Sequence, residues 1–486
     1  MKHVSILFAC LLLLQGCAEL GIKSLPWPTY SPIYDSTAAD FLRTVQKVDD
    51  ELGKGLAAKP MLDDSRLIGL SVSGGGARAT AFTLGILAEL QTIGFADHRT
   101  ALDRIDFLST NSGGSWAVAA YLVDRADHRG AGYSLAANMP ALRARFVAMS
   151  EGRVPCWAQA MQAGIPGAAT FGQIYAPERT EPLPRVFFNA SLLPAHAPFV
   201  FTDAFLRHYA VRQFGACKAR LTVAGTRLAD LPIAYAAASS GAVPGFYASF
   251  ARTALCDDDG PIPAASFCHG KRKGRRLSYL RLADGGLYDN IGYKTAFEVM
   301  ESQPATIGTR RAMILINSAA SMDQKSIARK KTNASFLMTT ASNGIFAVQD
   351  SSFERLYRPM FRAVGVDSPV LLDFYSTAHF PEAKAQDLLK GLDHLAAAAA
   401  YDVRCFQPGN RLDTGGSRPR GALPDWAASF AHLRTLGSDC VANNFYRVGN
   451  AAKTSYKFDA DLFTTLWQLG QLSVRMHRDE IAAALE

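Results

Sequence analysis

The chain has 486 residues, of which 49% are hydrophobic and 19% charged, and its formal net charge is +8. This composition supplies a large apolar core and excludes a disordered chain, a collagen and a repeat array. The positive excess reads as solvated surface. The densest basic run, Lys271, Arg272, Lys273, Arg275 and Arg276, has no interleaved aromatics, so nucleic acid is not expected as a partner.

The first residues are Met1, Lys2 and His3, followed by an apolar run over 4–14. A run of about eleven residues is well short of the roughly 20 needed to span a bilayer as a helix, and it fits the apolar core of an export signal. It ends in Leu14, Gln15, Gly16 and Cys17, which resembles a bacterial lipobox. The resemblance implies that 1–16 is a signal peptide, that Cys17 becomes lipidated, and that the protein is anchored in the cell envelope. Ala18 at the following position points to the outer membrane. Several acyl chains on one residue hold a protein firmly to a bilayer. Six further cysteines follow after Cys17: Cys156, Cys217, Cys256, Cys268, Cys405 and Cys440. In an oxidising compartment they permit up to three disulfides among 15 pairings. Local spacing favours Cys256 with Cys268 and Cys405 with Cys440. No paired C-x-x-C is present, so a zinc site is not expected.

Residues 17–60 read as a tether broken by Pro26, Pro28 and Pro32, followed by a first helix over 37–52. From Arg66 onward, short apolar runs alternate with glycine turns and helical spacing. That alternation predicts an α/β fold with a mostly parallel sheet. The core is expected over 61–320. Residues 321–486 are expected to be a helical extension with insertions that packs on the core, with terminal helices over 458–484.

Three strand-to-turn transitions carry the chemistry. The run 67–72 leads into Ser73, Gly74, Gly75 and Gly76 and then a helix over 78–90. The run 105–108 leads through Ser109, Thr110 and Asn111 to Ser112, Gly113, Gly114 and Ser115, then a helix over 116–123. The run 279–283 ends at Asp284, Gly285 and Gly286. A buried strand is expected over 313–317. In open α/β sheets ligands bind at the carboxyl ends of strands, and all three turns are expected there.

A serine hydroxyl needs an adjacent base and backbone donors for the oxyanion formed on attack. Ser112, between a strand and a helix, follows the logic of a nucleophile elbow. Thr110 stands where that pattern has its first glycine, and a β-branched residue there is expected to widen the turn. A competing frame places the nucleophile at Ser115. Gly74, Gly75 and Gly76 offer amides for an oxyanion hole or a phosphate cradle; no G-K-[ST] follows, so the loop is not a Walker A loop. Asp284 can take the serine proton directly, with Asp289 as a substitute. A Ser-His-Asp triad using His379 or His394 is the mechanistic rival.

Taken together, the Gly74–Gly75–Gly76–Ala77–Arg78 loop, the Asn111–Ser112–Gly113–Gly114–Ser115 elbow and Asp284–Gly285–Gly286 resemble the patatin-like phospholipase family. Phe188–Asn189–Ala190–Ser191, Phe199–Val200–Phe201 and the segment from Asp230 to Phe246, with Ser239 and Ser240, extend the resemblance over 66–318. The resemblance implies a three-layer α/β/α fold related to the α/β hydrolases and a Ser112–Asp284 dyad. Gly74 to Gly76 would form the oxyanion hole, and Arg78, Gly113, Gly114, Gly285 and Gly286 would support it. The implied reaction is acyl-ester hydrolysis in phospholipids or other lipids, with no cofactor. A catalytically silent envelope lipoprotein that binds lipid or a protein partner is the non-enzymatic alternative.

Overall fold

The structure is a computed structural model and describes residues 66–128, 132–151, 157–165, 169–176, 183–193, 197–216, 221–224, 226–243, 249–253, 279–303, 310–318, 353, 356–374, 384–395 and 455–486. The leader, Cys17, the tether and first helix, His379 and the basic run at 271–276 lie outside these residues. So do Cys156, Cys217, Cys256, Cys268, Cys405 and Cys440, and with them the expected disulfides.

In chain order, β1 (Arg66–Val72) leads through three residues into α1 (Gly76–Leu90). β2 (Phe107–Asn111) passes directly into α2 (Ser112–Asp127), followed by α3 (Leu135–Glu151), α4 (Trp157–Gly164) and α5 (Phe171–Ile174). Then come β3 (Arg185–Leu193), β4 (Ala197–Val200), α6 (Asp203–His208), β5 (Val211–Ala216) and β6 (Leu221–Ala224). α7 (Ile233–Ser240), β7 (Ser249–Thr253), β8 (Tyr279–Asp284), α8 (Gly286–Asp289), α9 (Tyr293–Ser302) and β9 (Arg310–Asn317) follow. The last described elements are β10 (Val370–Asp373), α10 (Ala385–Leu388), α11 (Ala460–Met476) and α12 (Arg478–Leu485).

Among the described residues the strands form one ten-stranded sheet in the order β10-β9-β1-β2-β3-β8-β7-β5-β6, with β4 beside β3. The five strands from β10 to β3 are mutually parallel. β1 is buried along nearly its whole length, and β2 along all of it. Such continuous burial belongs to parallel strands covered on both faces. α9 packs against β1 and β2, while α1, α2, α7 and α11 form a second helical group. From β8 onward the pairing is antiparallel, and the texture changes with it. In β8, Tyr279 and Arg281 are exposed and Leu280 and Leu282 are buried, the alternation of a strand with one solvated face.

One expectation is corrected here. The sheet does not end near residue 320, because β10 adds a parallel strand at its edge. The three glycine-marked turns do lie at the carboxyl ends of strands, β1 and β2 in the parallel part of the sheet and β8 antiparallel to β3. β3 overhangs β2: Asn111 pairs with Asn189, and beyond that rung β3 pairs with β8 running the opposite way, Ala190 opposite Asp284. β8 therefore descends along the overhang and ends one rung from the end of β2.

α1, which begins in the glycine loop, is clamped by α11. A Cβ on Gly85 would lie 2.0 Å from the Trp467 carbonyl oxygen, and one on Gly470 2.2 Å from that of Phe82. The backbones approach as closely as only glycine allows. Buried Glu89 at the end of α1 pairs with Arg475 at 2.7 Å.

Candidate active site

The site is built where β1, β2 and β8 end. β2 stays extended through Asn111 (φ −129°, ψ 144°), and the chain then turns sharply at Ser112, whose φ is +45°. A non-glycine residue in that left-handed region costs about 1–3 kcal/mol and persists only where its surroundings hold it. Thr110 does not widen the turn as expected. It lies in the strand, where β-branching is favourable, and its hydroxyl meets Ser115 Oγ at 2.9 Å. The strain falls on Ser112. Gly113 and Gly114 allow the elbow to nest against the β1 loop: a Cβ on Gly113 would sit 2.0 Å from the Gly76 carbonyl oxygen, and one on Gly114 2.6 Å from that of Ser73.

The Ser112 hydroxyl donates to Asp284 Oδ2 at 2.7 Å, across 172 residues of sequence. Asp284 Oδ1 accepts the Gly286 N–H at 2.8 Å, so both carboxylate oxygens are oriented. Gly285 permits close packing, since a Cβ there would lie 2.2 Å from Asn111 Oδ1. Burial pushes the Asp284 carboxyl up to about 6, while the bonds from Ser112 and Gly286 pull it down.

The glycine loop departs from the expected three-amide cradle. The Gly74 N–H donates to the Asn290 carbonyl at 2.8 Å, and the Gly74 carbonyl accepts the Ser318 hydroxyl at 3.0 Å. Gly74 is thus a pinned spacer beside Ser112, and its amide is not a free donor. Among the described residues, the Gly75 and Gly76 N–H groups have no acceptor, and neither does that of Gly113. Gly75 (φ +145°) and Gly76 (φ +60°) both take backbone angles that side chains disfavour. The N-terminus of α2 at Ser112 adds its dipole to the same region. Arg78 is buried, with its guanidinium 5.9 Å from the Phe374 ring centroid.

The alternatives are placed elsewhere. Ser115 is fully buried, with its hydroxyl between Thr110 and Ser240. Asp289 accepts the Ile291 and Lys294 N–H groups at 3.2 and 2.7 Å and fastens the loop that follows it. His394 meets Thr465 Oγ1 at 3.2 Å, and among the described residues no histidine touches Ser112 or Asp284.

Several residues at the site carry no motif signal. Ser240 Oγ accepts the Ser112 N–H at 3.0 Å. Asn290 and Ser318 pin Gly74. Tyr456 bonds the turn after α7, donating to the Gly241 carbonyl and accepting the Val243 N–H at 3.2 Å. Burial, reinforced by the Asp284 charge, holds the Tyr456 phenol above its ordinary range. Of these, Ser240, Asn290 and Ser318 fall inside the span of family resemblance, and only the fold reveals what they bond to.

Residues 70–297 match the model of the patatin-like phospholipase family. No curated protein matches the chain. Among solved structures, the chain is similar to human GIVD cytosolic phospholipase A2, at 15% identity and a TM-score of 0.40, covering 93% of this chain and 64% of that one. The same human enzyme in complex with methyl gamma-linolenyl fluorophosphonate gives 16% identity and a TM-score of 0.37, with the same coverage. The chain thus spans less than two thirds of the length of these structures.

Proposed function

We propose that this chain, whose residues 70–297 make up a patatin-like phospholipase domain, hydrolyses acyl esters of lipids by a Ser112–Asp284 dyad. The observation that carries this reading is the 2.7 Å bond from the Ser112 hydroxyl to a buried carboxylate, beside a glycine loop with unengaged amides. Ser112 Oγ attacks the ester carbonyl carbon as its proton passes to Asp284 Oδ2. The oxygen that becomes negative accepts from the Gly75 and Gly76 N–H groups, with Gly113 as a third donor. Fixed donors of this kind contribute about 3–4 kcal/mol each to lowering a barrier. The tetrahedral intermediate collapses, and the leaving alcohol takes the proton from Asp284. Water then attacks the acyl-Ser112 ester and gives its proton to Asp284. Collapse releases the fatty acid and returns the proton to Ser112.

The substrate class follows from the domain: phospholipids, lysophospholipids or other acyl-ester lipids. Cys17 would carry the lipid that holds the protein at the outer membrane, beside its substrate. No helix among the described residues is long and apolar enough to cross a membrane.

The test is a fluorophosphonate label followed by mass spectrometry, together with product analysis on mixed phospholipid vesicles. The adduct is expected on Ser112, and fatty acid release is expected from wild type but not from Ser112→Ala. An undiminished label on Ser112→Ala, or fatty acid release by it at the wild-type rate, would sink the dyad. A wild type that neither labels nor turns over would favour the silent lipid-binding lipoprotein.

A further inference from the structure

Beyond the dyad, and resting on it, we infer that Ser240 is the positioning residue that sets nucleophile and base at their working separation. Its hydroxyl has one proton and two acceptor sites, and all three are engaged. Oγ lies 2.5 Å from the Asn189 carbonyl oxygen, which can only accept, so the proton of Ser240 points there. Ser240 must therefore accept from its other partners: the Ser112 N–H at 3.0 Å and the Ser115 hydroxyl at 2.8 Å. With the Ser115 proton directed at Ser240, the 2.9 Å contact between Thr110 and Ser115 has Thr110 as donor. The chain of hydroxyls runs one way, from Thr110 through Ser115 and Ser240 to the β3 backbone.

The bond from Ser112 N–H matters because of where it acts. Ser112 is held at φ +45°, and its amide is fastened by this one side chain. Without an acceptor, the strained elbow loses the contact that keeps the hydroxyl aimed at Asp284.

The same residue holds the other half of the pair through its backbone. A helix leaves its last carbonyls without intrahelical partners, and α7 ends at Ser240. The Ser240 carbonyl accepts the Gly285 N–H at 2.9 Å, and the Ala242 carbonyl accepts the Asp284 N–H at 2.9 Å. Between them, the Gly241 carbonyl is engaged by Tyr456. Gly241 lets the turn press against α2, where a Cβ would lie 2.7 Å from the Trp116 ring. Thus one short turn grips the elbow through a side chain and the aspartate strand through two carbonyls. The hydroxyl makes no contact with Asp284 or with the unengaged amides of the glycine loop, so its role is positional.

The test compares wild type with Ser240→Ala on a soluble p-nitrophenyl ester, with circular dichroism as the folding control. The variant is expected to fold, to keep KM within about threefold, and to lose kcat by about 10- to 100-fold. The acid limb of its pH profile is expected to move to higher pH, because a loosened Ser112 hydroxyl no longer helps to stabilise the ionised carboxylate. Among the described residues, Tyr456 is the titratable group whose phenol feels the Asp284 charge, and the variant leaves it in place. If Ser240→Ala does not fold, Ser240→Cys, close in volume and a weak hydrogen-bonding group, takes its place with the same expectation. Unchanged kcat and an unchanged acid limb in a folded variant would overturn the role of Ser240 while leaving the dyad standing. A wild type without a fluorophosphonate adduct at Ser112 would instead remove the dyad on which the inference rests.

Discussion

The carboxylate proposed to receive the proton of Ser112 is an unfavourable charge for the fold. Asp284 is 3% exposed, and among the described residues its carboxylate has no cationic neighbour and accepts two hydrogen bonds, from Ser112 and Gly286. Burial raises its pKa from 3.8 to about 6. Two consequences run in opposite directions with pH. The base must be ionised to act, so kcat/KM on a soluble ester should rise along an acid limb with its midpoint near 6, about tenfold per pH unit below it. Stability moves the other way. A folded-state pKa above the unfolded value means that the contribution of this group is fully present below about 3.8 and is lost as pH rises through the folded pKa. At about 1.4 kcal/mol per pKa unit, the loss approaches 3 kcal/mol at pH 7 and above, an upper value because the buried site can relax or admit water. Asp284→Asn keeps the shape and removes the charge. It should be inactive, and it should gain stability over wild type progressively between pH 4 and pH 7. The gain should be about 2 kcal/mol across that window, read by chemical denaturation at several pH values. An acid limb in the ordinary aspartate range near 4, or denaturation curves whose separation stays constant from pH 4 to 7, would refute the desolvation argument.

The elbow makes two further predictions. Ser112→Ala and Ser112→Gly should both lose activity by about a thousandfold or more, but the glycine variant should be the more stable of the two by about 1 kcal/mol, because φ +45° suits glycine. Equal or greater stability of the alanine variant by denaturant titration would mean that the backbone there is unstrained. Gly113→Ala would put a methyl group 2.0 Å from the Gly76 carbonyl oxygen. It should push the glycine loop away, lowering kcat more than 100-fold and stability by about 1–3 kcal/mol; wild-type turnover would show that loop and elbow do not need this contact.

The parts of the site that were legible in the sequence are those in which chemistry is written locally. A glycine triplet after a buried strand, a serine between strand and helix, and Asp-Gly-Gly after another strand each declare a backbone geometry on the spot. Their order along the chain is what makes the family resemblance specific. The parts that were not legible depend on partners far away in the chain. Gly74 looks like a donor until Asn290, brought by the loop after Asp284, takes its amide. Ser240 looks like one of two serines at a helix end until that end is found against the elbow. Thr110 looks like an obstacle when the turn is compared with a motif. In the fold it is an ordinary rung of a strand that stays extended through Asn111, and the unusual angle moves to the serine itself. The direction of β8 shows where more could have been drawn from the residues. The segment Tyr279-Leu280-Arg281-Leu282 alternates polar and apolar, a texture unlike the solid apolar run of β9, and alternation marks a strand with one wet face in an antiparallel wing. Taken at its word, that alternation sets Asp284 on a strand running against β3, and the dyad then requires β3 to outrun β2 so that the two strand ends can meet. The nine residues of β3 against the five of β2 satisfy that requirement. The unequal lengths of two neighbouring strands bring a serine and an aspartate 172 residues apart within one hydrogen bond.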